Sequence, residues 1–510
     1  MSVVSDQLDR IAAAPADGTG LDIVVVSTTT KAQEASWQAR LEAGRGHVCR
    51  ADALVLAVTE EWPGGAGNGL GTLEALRAAA AKSHTRYDRD LLAELDAGAS
   101  VGVYHTAGKG TRLAPLPGSE GNDKPAVKLP GRVPIDGRAE PLTILEAVIR
   151  QTAAYAPGRR GRVGVWWGDQ VFIPSVPPAD ESARPAAILA RLAPMPDAAA
   201  WRARGLERYG LIAVSAAGDA AQVEKVDHAT ASRLIDQGTI AVDGGLGVSL
   251  GSFSLSAALA RALLEEFAPE LAARRGKLDT DPHWWMPLTL DAETYRNAMT
   301  AKGVPADQAD AHHARMADFA ARFRAATGHA GGLLGCTDVG DAGWWWDYGT
   351  VDGYLANVRK LTAATPEASD LRRFFGVDAP VRGGRVGPAV ELSGGSVLID
   401  CVIAAGRIDG SVLVGVRAGW VDAKDSVAVN VAAPALFAED ALAYNAAAAE
   451  PLELAPGTVR VDAVLPDRGR LPLTTRTDRD GKDDWDVRLP GNALSWSELH
   501  AANAARPEDA

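Results

Sequence analysis

The sequence predicts an α/β protein with a mainly parallel sheet, followed by a β-rich C-terminal domain. Two observations carry this prediction. Short β-branched runs alternate with segments of helical composition along residues 20–167, an order typical of parallel sheets. After residue 376 the chain becomes rich in glycine, valine and isoleucine and poor in helix formers. Because 510 residues exceed one typical core, we predict two domains, 1–375 with an N-terminal extension at 1–98, and 376–510.

The predicted elements follow from hydrophobic runs and helical spacing. Mostly apolar runs predict buried strands at Leu21–Val26, Ala53–Val58, Val101–Tyr104 and Val163–Trp167. Helical composition or spacing predicts helices at Lys31–Ala43, Thr72–Ala81, Leu142–Tyr155, Leu255–Arg274 and His313–Ala326. In the last helix Met316, Phe319 and Phe323 share one face, which predicts core packing. The glycine-rich stretch Gly64–Gly71 is predicted to be a loop.

The C-terminal domain has a different pattern of residues. Residues 394–431, GGSVLIDCVIAAGRIDGSVLVGVRAGWVDAKDSVAVNV, consist of short apolar runs separated by glycine, aspartate or asparagine. This pattern predicts short strands joined by near-regular turns. The repeat is imperfect, so a helical stack of parallel strands and a small β-sandwich both stay open. The polar stretch Thr475–Asp484 is predicted to be an exposed loop.

Composition and charge argue against several classes of protein. The net charge of −13 disfavours nucleic-acid and anionic-membrane partners, which favour basic surfaces. Cys49, Cys336 and Cys401 are far apart and form no C-x-x-C pair, so neither a disulfide framework nor a thiolate zinc site is predicted. The sequence shows no signal-peptide pattern and no apolar run of the about 18–20 residues that span a bilayer. We therefore predict a cytoplasmic protein.

The most informative motif lies in residues 104–125, YHTAGKGTRLAPLPGSEGNDKP. Glycine lets backbone N–H groups approach phosphate oxygens closely, and lysine and arginine side chains neutralise the charge. A P-loop is excluded because no Gly-Lys-Ser/Thr follows, and a dinucleotide fingerprint is excluded because Leu113 replaces its third glycine. The segment therefore predicts a polyphosphate site. Its candidate residues are Gly108, Lys109, Gly110, Thr111, Arg112 and Lys124.

Two acidic residues are candidate metal ligands. Asp169 directly follows the strand at Val163–Trp167, and the carboxyl ends of parallel strands are where such sheets bind ligands. A carboxylate there suits Mg²⁺, which also binds phosphate oxygens, although a helix N-cap is an equal alternative. Asp347 lies in the segment GWWWDYGTVDGYL and is the second candidate. For His105, before the phosphate loop, a nucleotide contact and a structural hydrogen bond both stay open.

Together these motifs resemble the signature of sugar-1-phosphate nucleotidyltransferases, the NDP-sugar pyrophosphorylases. The matching segments are G-x-G-T-R followed by K-P, the segment from Trp345 to Thr350, and Q-V-E-K ending at Lys225, where Val226 replaces the family's proline. The early GNGLGTLEAL at residues 67–76 makes the layout similar to the L-fucose-1-phosphate guanylyltransferase family. The resemblance covers approximately residues 20–360 and extends loosely into the C-terminal domain.

The resemblance implies a Rossmann-like, GT-A-like catalytic fold with a β-helix-like C-terminal domain. It implies Mg²⁺-dependent synthesis of an NDP-sugar from an NTP, with GTP favoured, and a sugar or cyclitol 1-phosphate. A homodimer is also expected. The implied roles are catalysis for Arg112 and Lys124, nucleotide binding for Asn68, Gly69 and residues 108–111, sugar-phosphate binding for Tyr209, Lys225 and Gly247, and metal binding for Asp169 and Asp347. A UTP-using uridylyltransferase, a non-catalytic regulatory subunit and a metal-dependent glycosyltransferase stay open as alternatives.

Overall fold

A computed structural model describes residues 2–177, 179, 181–203, 205–208, 210–224 and 226–504, and has the predicted mixed α/β character with mostly parallel sheets. The helices are α1 Val3–Asp17, α2 Lys31–Ala43, α3 Gly67–Tyr87, α4 Leu91–Asp96, α5 Leu116–Ser119, α6 Ile144–Gln151, α7 Ala198–Ala203, α8 His228–Asp236, α9 Ala257–Glu266, α10 Ala268–Ala273, α11 Met286–Thr289, α12 Ala292–Ala301, α13 Ala306–Thr327, α14 Val351–Arg359, α15 Pro366–Phe375 and α16 Trp496–Ala504. The strands are β1 Ile23–Thr28, β2 Leu54–Thr59, β3 Val101–His105, β4 Lys128–Ile135, β5 Arg138–Thr143, β6 Arg162–Trp167, β7 Gln170–Ile173, β8 Ala186–Ala193, β9 Gly210–Val214, β10 Ala220–Glu224, β11 Gly245–Ser256, β12 Leu334–Asp338, β13 Trp344–Asp347, β14 Val381–Arg382, β15 Arg385–Ser393, β16 Val397–Ile399, β17 Val402–Asp409, β18 Val412–Val414, β19 Arg417–Lys424, β20 Val427–Val429, β21 Ala432–Glu439, β22 Leu442–Tyr444, β23 Leu452–Leu454, β24 Thr458–Leu465 and β25 Gly469–Arg476.

The chain divides into two compact units, each built from several segments. The first unit comprises Met1–Ala107, Gln151–Trp167 and Ile173–Gly343. The second unit comprises Gly108–Arg150, Gly168–Phe172 and Trp344–Ala510. The predicted phosphate loop therefore shares a compact unit with the C-terminal part of the chain.

The first unit is built on one sheet with the strand order β10-β9-β11-β6-β3-β1-β2, and β8 and β12 add to it beside β11. Strands β2, β1, β3 and β6 run parallel to one another. The long strand β11 is antiparallel to β6, β8 and β9. All six residues of β1 are buried, as expected for a parallel strand covered on both faces. The four predicted strands thus form, with their ends shifted by one or two residues.

Two predicted segments of the first unit have different bounds in the structure. Helix α3 begins at Gly67, so the second half of the predicted loop Gly64–Gly71 is helical. The predicted helix Leu255–Arg274 is instead the end of β11 followed by α9 and α10. Ser256 starts α9 by accepting a hydrogen bond from the Leu259 N–H at 3.2 Å, a typical N-cap. Local capping and a proline in the first turn of α10 therefore break a pattern that hydrophobic spacing alone predicts as one helix.

The other predicted helices form, but one of them is shorter than predicted. Helix α2 forms over the predicted residues. The predicted helix Leu142–Tyr155 is shorter, because its first two residues end β5 and α6 stops at Gln151. The predicted core stripe of α13 is confirmed, since Met316, Phe319 and Phe323 are all buried.

The second unit contains two sheets whose parallel strands alternate along the chain up to β24, and β25 then pairs antiparallel with β24. One sheet has the order β14-β16-β18-β20-β22-β24-β25 and the other the order β15-β17-β19-β21-β23. From β16 to β22 the pairing advances by fifteen residues at each step, since Val397 pairs with Val412, Val412 with Val427, and Val427 with Leu442. The three residues of β16, β18, β20 and β22 are all buried. The near-regular turns predicted from sequence thus have a fifteen-residue spacing.

The turns explain why glycine, aspartate and asparagine punctuate this part of the sequence. Two sets of positions, each spaced by fifteen residues, have a positive φ between 44° and 69°. Such a left-handed conformation is sterically costly for most residues, and glycine, asparagine and aspartate tolerate it best. The first set is Gly395, Gly410, Asp425 and Asp440, and the second is Asp400, Gly415, Asn430 and Asn445.

Two expectations about the whole chain can be compared with the structure. Cys49, Cys336 and Cys401 are free thiols, in agreement with the predicted lack of a disulfide framework. Within the part of the chain that is described, no helix combines the length and the apolar character needed to cross a membrane.

Candidate functional site

The two predicted metal ligands lie together in the second unit. Asp347 is the last residue of β13, Asp169 immediately precedes β7, and β7 pairs with β13. The Tyr348 N–H donates to the Asp169 carbonyl oxygen at 2.9 Å, which joins the two segments just beyond the strands. Strand pairing therefore brings together two acids that are 178 positions apart in the sequence.

Gly349 marks the point at which the charged groups converge. A Cβ atom placed on this glycine would lie 2.9 Å from Asp169 Oδ2, 2.9 Å from Asp347 Oδ1 and 3.8 Å from Arg112 Nη2. Both carboxylates and the guanidinium thus face one small volume that any side chain at Gly349 would fill. Asp347 is held there by the Gly349 N–H, which donates to its Oδ1 at 2.7 Å.

Lys124 completes the cluster. Its ammonium donates a hydrogen bond to Asp169 Oδ2, and its side chain is 19% exposed. The stem of Lys124 packs beside Gly110, where an added Cβ would lie 3.1 Å from the Lys124 Cβ. Gly110 also has a left-handed φ of 63°, so both space and backbone conformation favour glycine here. The turn that contains Lys109 and Arg112 thus packs against Lys124.

The surroundings of Asp347 disfavour the ionised form of its carboxyl group. Burial raises the pKa of its carboxyl above the ordinary value, and the neighbouring Asp169 raises it further. The Gly349 N–H, Lys124 and Arg112 act in the opposite direction but do not offset these two effects. Two carboxylates that face each other in a buried site favour the binding of an additional cation or proton.

Mg²⁺ fits this donor set. It typically takes one or two protein carboxylates and completes its shell with water and substrate phosphate oxygens. Asp169 and Asp347 supply that number of carboxylates from one edge of the β7–β13 pair. Among the described residues there is no group of three or more His, Cys, Asp or Glu side chains that could hold a metal ion by themselves.

The phosphate loop itself is a tight turn. The Leu113 N–H donates to the Gly110 carbonyl oxygen at 3.0 Å, and the Ala114 N–H donates to that of Thr111 at 3.2 Å. Arg112 lies inside this 3₁₀ turn. At Gly108, with a φ of 142°, an added Cβ would meet nothing within 4 Å, so this part of the backbone is open.

Lys109 has a different position from the other cations of the motif. Its ammonium lies 6.0 Å from the centre of the Trp485 ring, at the outer limit of a cation–π contact. Lys109, Gly110 and Trp485 line a small depression together with residues of α16. The structure therefore places Lys109 against the C-terminal segment.

Three further predicted residues belong to the first unit, where they make structural contacts. Asn68 accepts a hydrogen bond from the Thr280 N–H at 2.6 Å through its Oδ1, and the Gly69 N–H donates to the Leu278 carbonyl oxygen at 2.8 Å. Gly247 lies in β11, where an added Cβ would overlap the backbone of β8. The predicted sugar-phosphate residues Tyr209 and Lys225 lie outside the described residues.

His105, for which two roles were open, makes a structural contact. Its Nε2 lies 2.7 Å from the Thr72 Oγ1, and burial lowers the pKa of the imidazole to about 4. This histidine is therefore neutral at physiological pH.

Sequence reasoning missed one polar neighbour of the acids and the role of Gly349. Gln170 donates from Nε2 to Asp347 Oδ2 at 3.4 Å. Its position next to Asp169 was the available signal, because a side chain at the start of β7 can reach across to β13. Gly349 stood in the recognised motif, but only the structure shows that the carboxylates enclose it.

Comparison of the sequence with protein-family models and with curated proteins finds no match in either set. The resemblance to sugar-1-phosphate nucleotidyltransferases therefore stays a prediction that rests on the quoted motifs.

Proposed function

We propose that the chain is a Mg²⁺-dependent sugar-1-phosphate nucleotidyltransferase that makes an NDP-sugar and pyrophosphate from an NTP and a sugar or cyclitol 1-phosphate. GTP is the favoured nucleotide, because the early part of the sequence is similar to guanylyltransferases. The proposal includes a Rossmann-like, GT-A-like catalytic fold and a β-helix for the fifteen-residue coils of the second unit.

The convergence of Asp169, Asp347 and Arg112 around Gly349 carries this proposal. Two carboxylates with a raised pKa at Asp347 suit a divalent cation, and Arg112 with Lys124 suits the phosphates that such a cation accompanies. The glycine-rich turn that holds Arg112 leaves open backbone at Gly108, where a phosphate can approach. Arg112 and Lys124 were identified by one sequence motif, Asp347 by a second, and Asp169 by its position after a predicted strand.

The proposed reaction requires little acid–base chemistry. An oxygen of the sugar phosphate attacks the α-phosphorus of the NTP in line, and the bond from this phosphorus to the bridging oxygen of the β-phosphate breaks. The nucleophile is already an anion, so no general base is needed, and pyrophosphate leaves with the electron pair. Positioning and charge stabilisation then account for catalysis.

Each residue of the cluster would have a separate role in this reaction. Arg112 would bind the non-bridging oxygens of the triphosphate, where negative charge increases as pyrophosphate departs. Lys124 would exchange its hydrogen bond with Asp169 for one with a phosphate oxygen. Asp169 and Asp347 would hold Mg²⁺, which when bound neutralises phosphate charge. The role predicted for Lys225, binding the attacking phosphate, rests on the resemblance.

A pyrophosphate-release assay with Mg²⁺ tests the proposal. GTP, UTP, ATP, dTTP and CTP are each combined with a panel of sugar 1-phosphates, and we expect turnover with one nucleotide–sugar pair. Turnover with UTP would correct the nucleotide while retaining the class. Release of free NDP from an NDP-sugar supplied together with a sugar acceptor would instead indicate a glycosyltransferase. Tight NTP binding without turnover would indicate a regulatory subunit. Absence of NTP binding would contradict the phosphate-loop assignment.

A further inference from the structure

The C-terminal segment of the second unit packs against the phosphate loop. We call residues 477–504 the C-terminal brace. At three places the brace contacts the stretch from Gly108 to Lys124. This stretch contains the basic residues of the motif. These contacts lie within one compact unit. The brace begins within the predicted exposed loop Thr475–Asp484, in which Gly481 and Asp484 are buried.

The closest of these contacts is at Gly481. An added Cβ there would overlap the carbonyl oxygen of Thr111 and would lie 3.0 Å from the Ala114 Cβ. The same Thr111 oxygen accepts the Ala114 N–H at 3.2 Å, the bond that closes the 3₁₀ turn. Arg112 is the residue enclosed by that turn. Gly481 therefore sets how closely the brace approaches the backbone that carries Arg112.

The second contact is made by α16. Asn503 donates from Nδ2 to the Gly118 carbonyl oxygen at 2.8 Å and to Asn122 Oδ1 at 3.0 Å. Asn122 in turn donates to the His500 carbonyl oxygen at 2.7 Å. The polar loop between Arg112 and Lys124 is thus hydrogen-bonded to α16 through its backbone and through one side chain. An unattached loop of this length would have many conformations to lose on ligand binding.

The third contact is apolar. Ala114 belongs to a buried cluster with Leu499 and Trp496 of α16 and with residues of β24 and β25. Trp485 also lies under the Lys109 ammonium at 6.0 Å. The turn is therefore held by packing on the side of Ala114 as well as by hydrogen bonds.

We infer that the C-terminal brace is a positioning element that holds the phosphate-loop turn, and that Gly481 fixes the placement of Arg112. This inference rests on the proposed function for its catalytic consequence, whereas the mechanical part concerns the turn alone. A displacement of about 1 Å in a catalytic group can lower a rate about 100-fold. The brace is thus expected to affect turnover without touching substrate.

The test is Gly481→Ala, with Gly20→Ala as the matched control. The added methyl group at position 481 meets backbone, which cannot yield easily, whereas at Gly20 it would meet only the Arg50 side chain at 3.3 Å. For Gly481→Ala we expect faster hydrogen exchange at the Leu113 and Ala114 amides. We also expect an about 10- to 100-fold lower kcat. The melting temperature should fall as well, because the buried methyl group must displace backbone.

A second variant distinguishes a loss of positioning from a folding defect. Asn503→Ala removes two hydrogen bonds to the loop without adding bulk, and should change exchange and kcat in the same direction by smaller factors. Wild-type exchange in both variants would overturn the inference, and so would faster exchange with wild-type kcat. A wild-type chain without turnover would overturn the proposed function, while exchange at Leu113 and Ala114 would still decide whether the brace holds the turn.

Discussion

Each unit contains a cluster of carboxylates and lysines, and the two clusters have opposite electrostatic balances. In the first unit Glu34 accepts hydrogen bonds from Lys82 at 2.8 Å, Thr59 at 2.7 Å and Lys31 at 3.1 Å. Burial alone would raise the pKa of Glu34, but these donors lower it to about 2. Lys82 also donates to the Ala57 carbonyl oxygen in β2, which ties the cluster to the sheet.

In the second unit Asp169 and Asp347 face each other beside Lys124 and Arg112. Burial and the second carboxylate raise the pKa of Asp347 despite these cations. The first cluster stabilises the charge of Glu34 with its own donors, whereas in the second cluster the donors do not offset the cost of ionising Asp347. Titratable groups with such a balance are more typical of binding sites than of structural ion pairs. The difference predicts that the first cluster contributes to stability and the second to function.

The largest effect is expected for Asp347→Asn. Turnover should fall about 100- to 1,000-fold, because one of the two anionic ligands for the cation is lost. The melting temperature should not fall. An acid with a raised pKa in the folded state opposes folding when ionised at pH 7, and asparagine removes that cost. Pyrophosphate release and thermal unfolding measure the two effects.

Asp347→Asn separates a functional role from a structural role. Asparagine retains an oxygen that can accept the Gly349 N–H, so the local turn is preserved. Wild-type turnover would remove Asp347 from the site. A marked loss of stability would place this cluster with the structural one.

The converse pattern is expected for Glu34→Gln. The variant should lose about 1–3 kcal/mol of unfolding free energy at pH 7 and retain wild-type turnover. Because the pKa of Glu34 is lowered from 4.5 to about 2, its contribution is present above pH 4.5 and is lost as the pH falls toward 2. Urea unfolding of the wild type and of Glu34→Gln at several pH values measures the pH range over which this contribution is lost. A stability difference that is independent of pH would contradict the assigned cause.

Much of the fold follows from local sequence patterns. The β-branched run of β1 can be stable only as a strand covered on both faces, and it is buried throughout. In the second unit, Gly, Asp and Asn recur because each fifteen-residue repeat has left-handed residues at fixed positions. The start of α3 was missed, because Asn68 between two glycines favours a loop locally. Contacts with Leu278, Asp279 and Thr280 stabilise the helical start, and these residues are distant in sequence.

The candidate site could be predicted only in part. The motifs identified Arg112, Lys124, Asp169 and Asp347, which the structure brings together. The approach of Gly481 to the phosphate loop left no signal in the sequence, because a glycine in a polar stretch is typical of any exposed turn. Contacts between segments far apart in sequence depend on packing, which a single sequence does not reveal.

Mg²⁺ should stabilise the wild-type chain through the second cluster. At ten times the dissociation constant, a ligand that binds only the folded state adds about 1.4 kcal/mol, which corresponds to an increase of about 3–6 °C in the melting temperature of a unit of this size. The shift should disappear when Mg²⁺ is chelated and in Asp347→Asn. Sodium chloride at matched ionic strength is the control, and an equal shift with it would assign the effect to screening.

The smallest effect on turnover concerns a carboxylate of the second unit that does have its own donors. Glu120 accepts hydrogen bonds from Tyr444 and Asn445 and pairs with Lys128. Tyr444→Phe removes one of these donors and also the acceptor of the Lys128 backbone N–H at 2.8 Å, so two lost hydrogen bonds should cost about 2 kcal/mol of unfolding free energy. Turnover should stay within about twofold of wild type, because Glu120 retains Lys128 and Asn445. Urea unfolding and the pyrophosphate assay test this. A large loss of turnover with little loss of stability would show that the electrostatic balance of a carboxylate does not separate structural from functional groups within this unit.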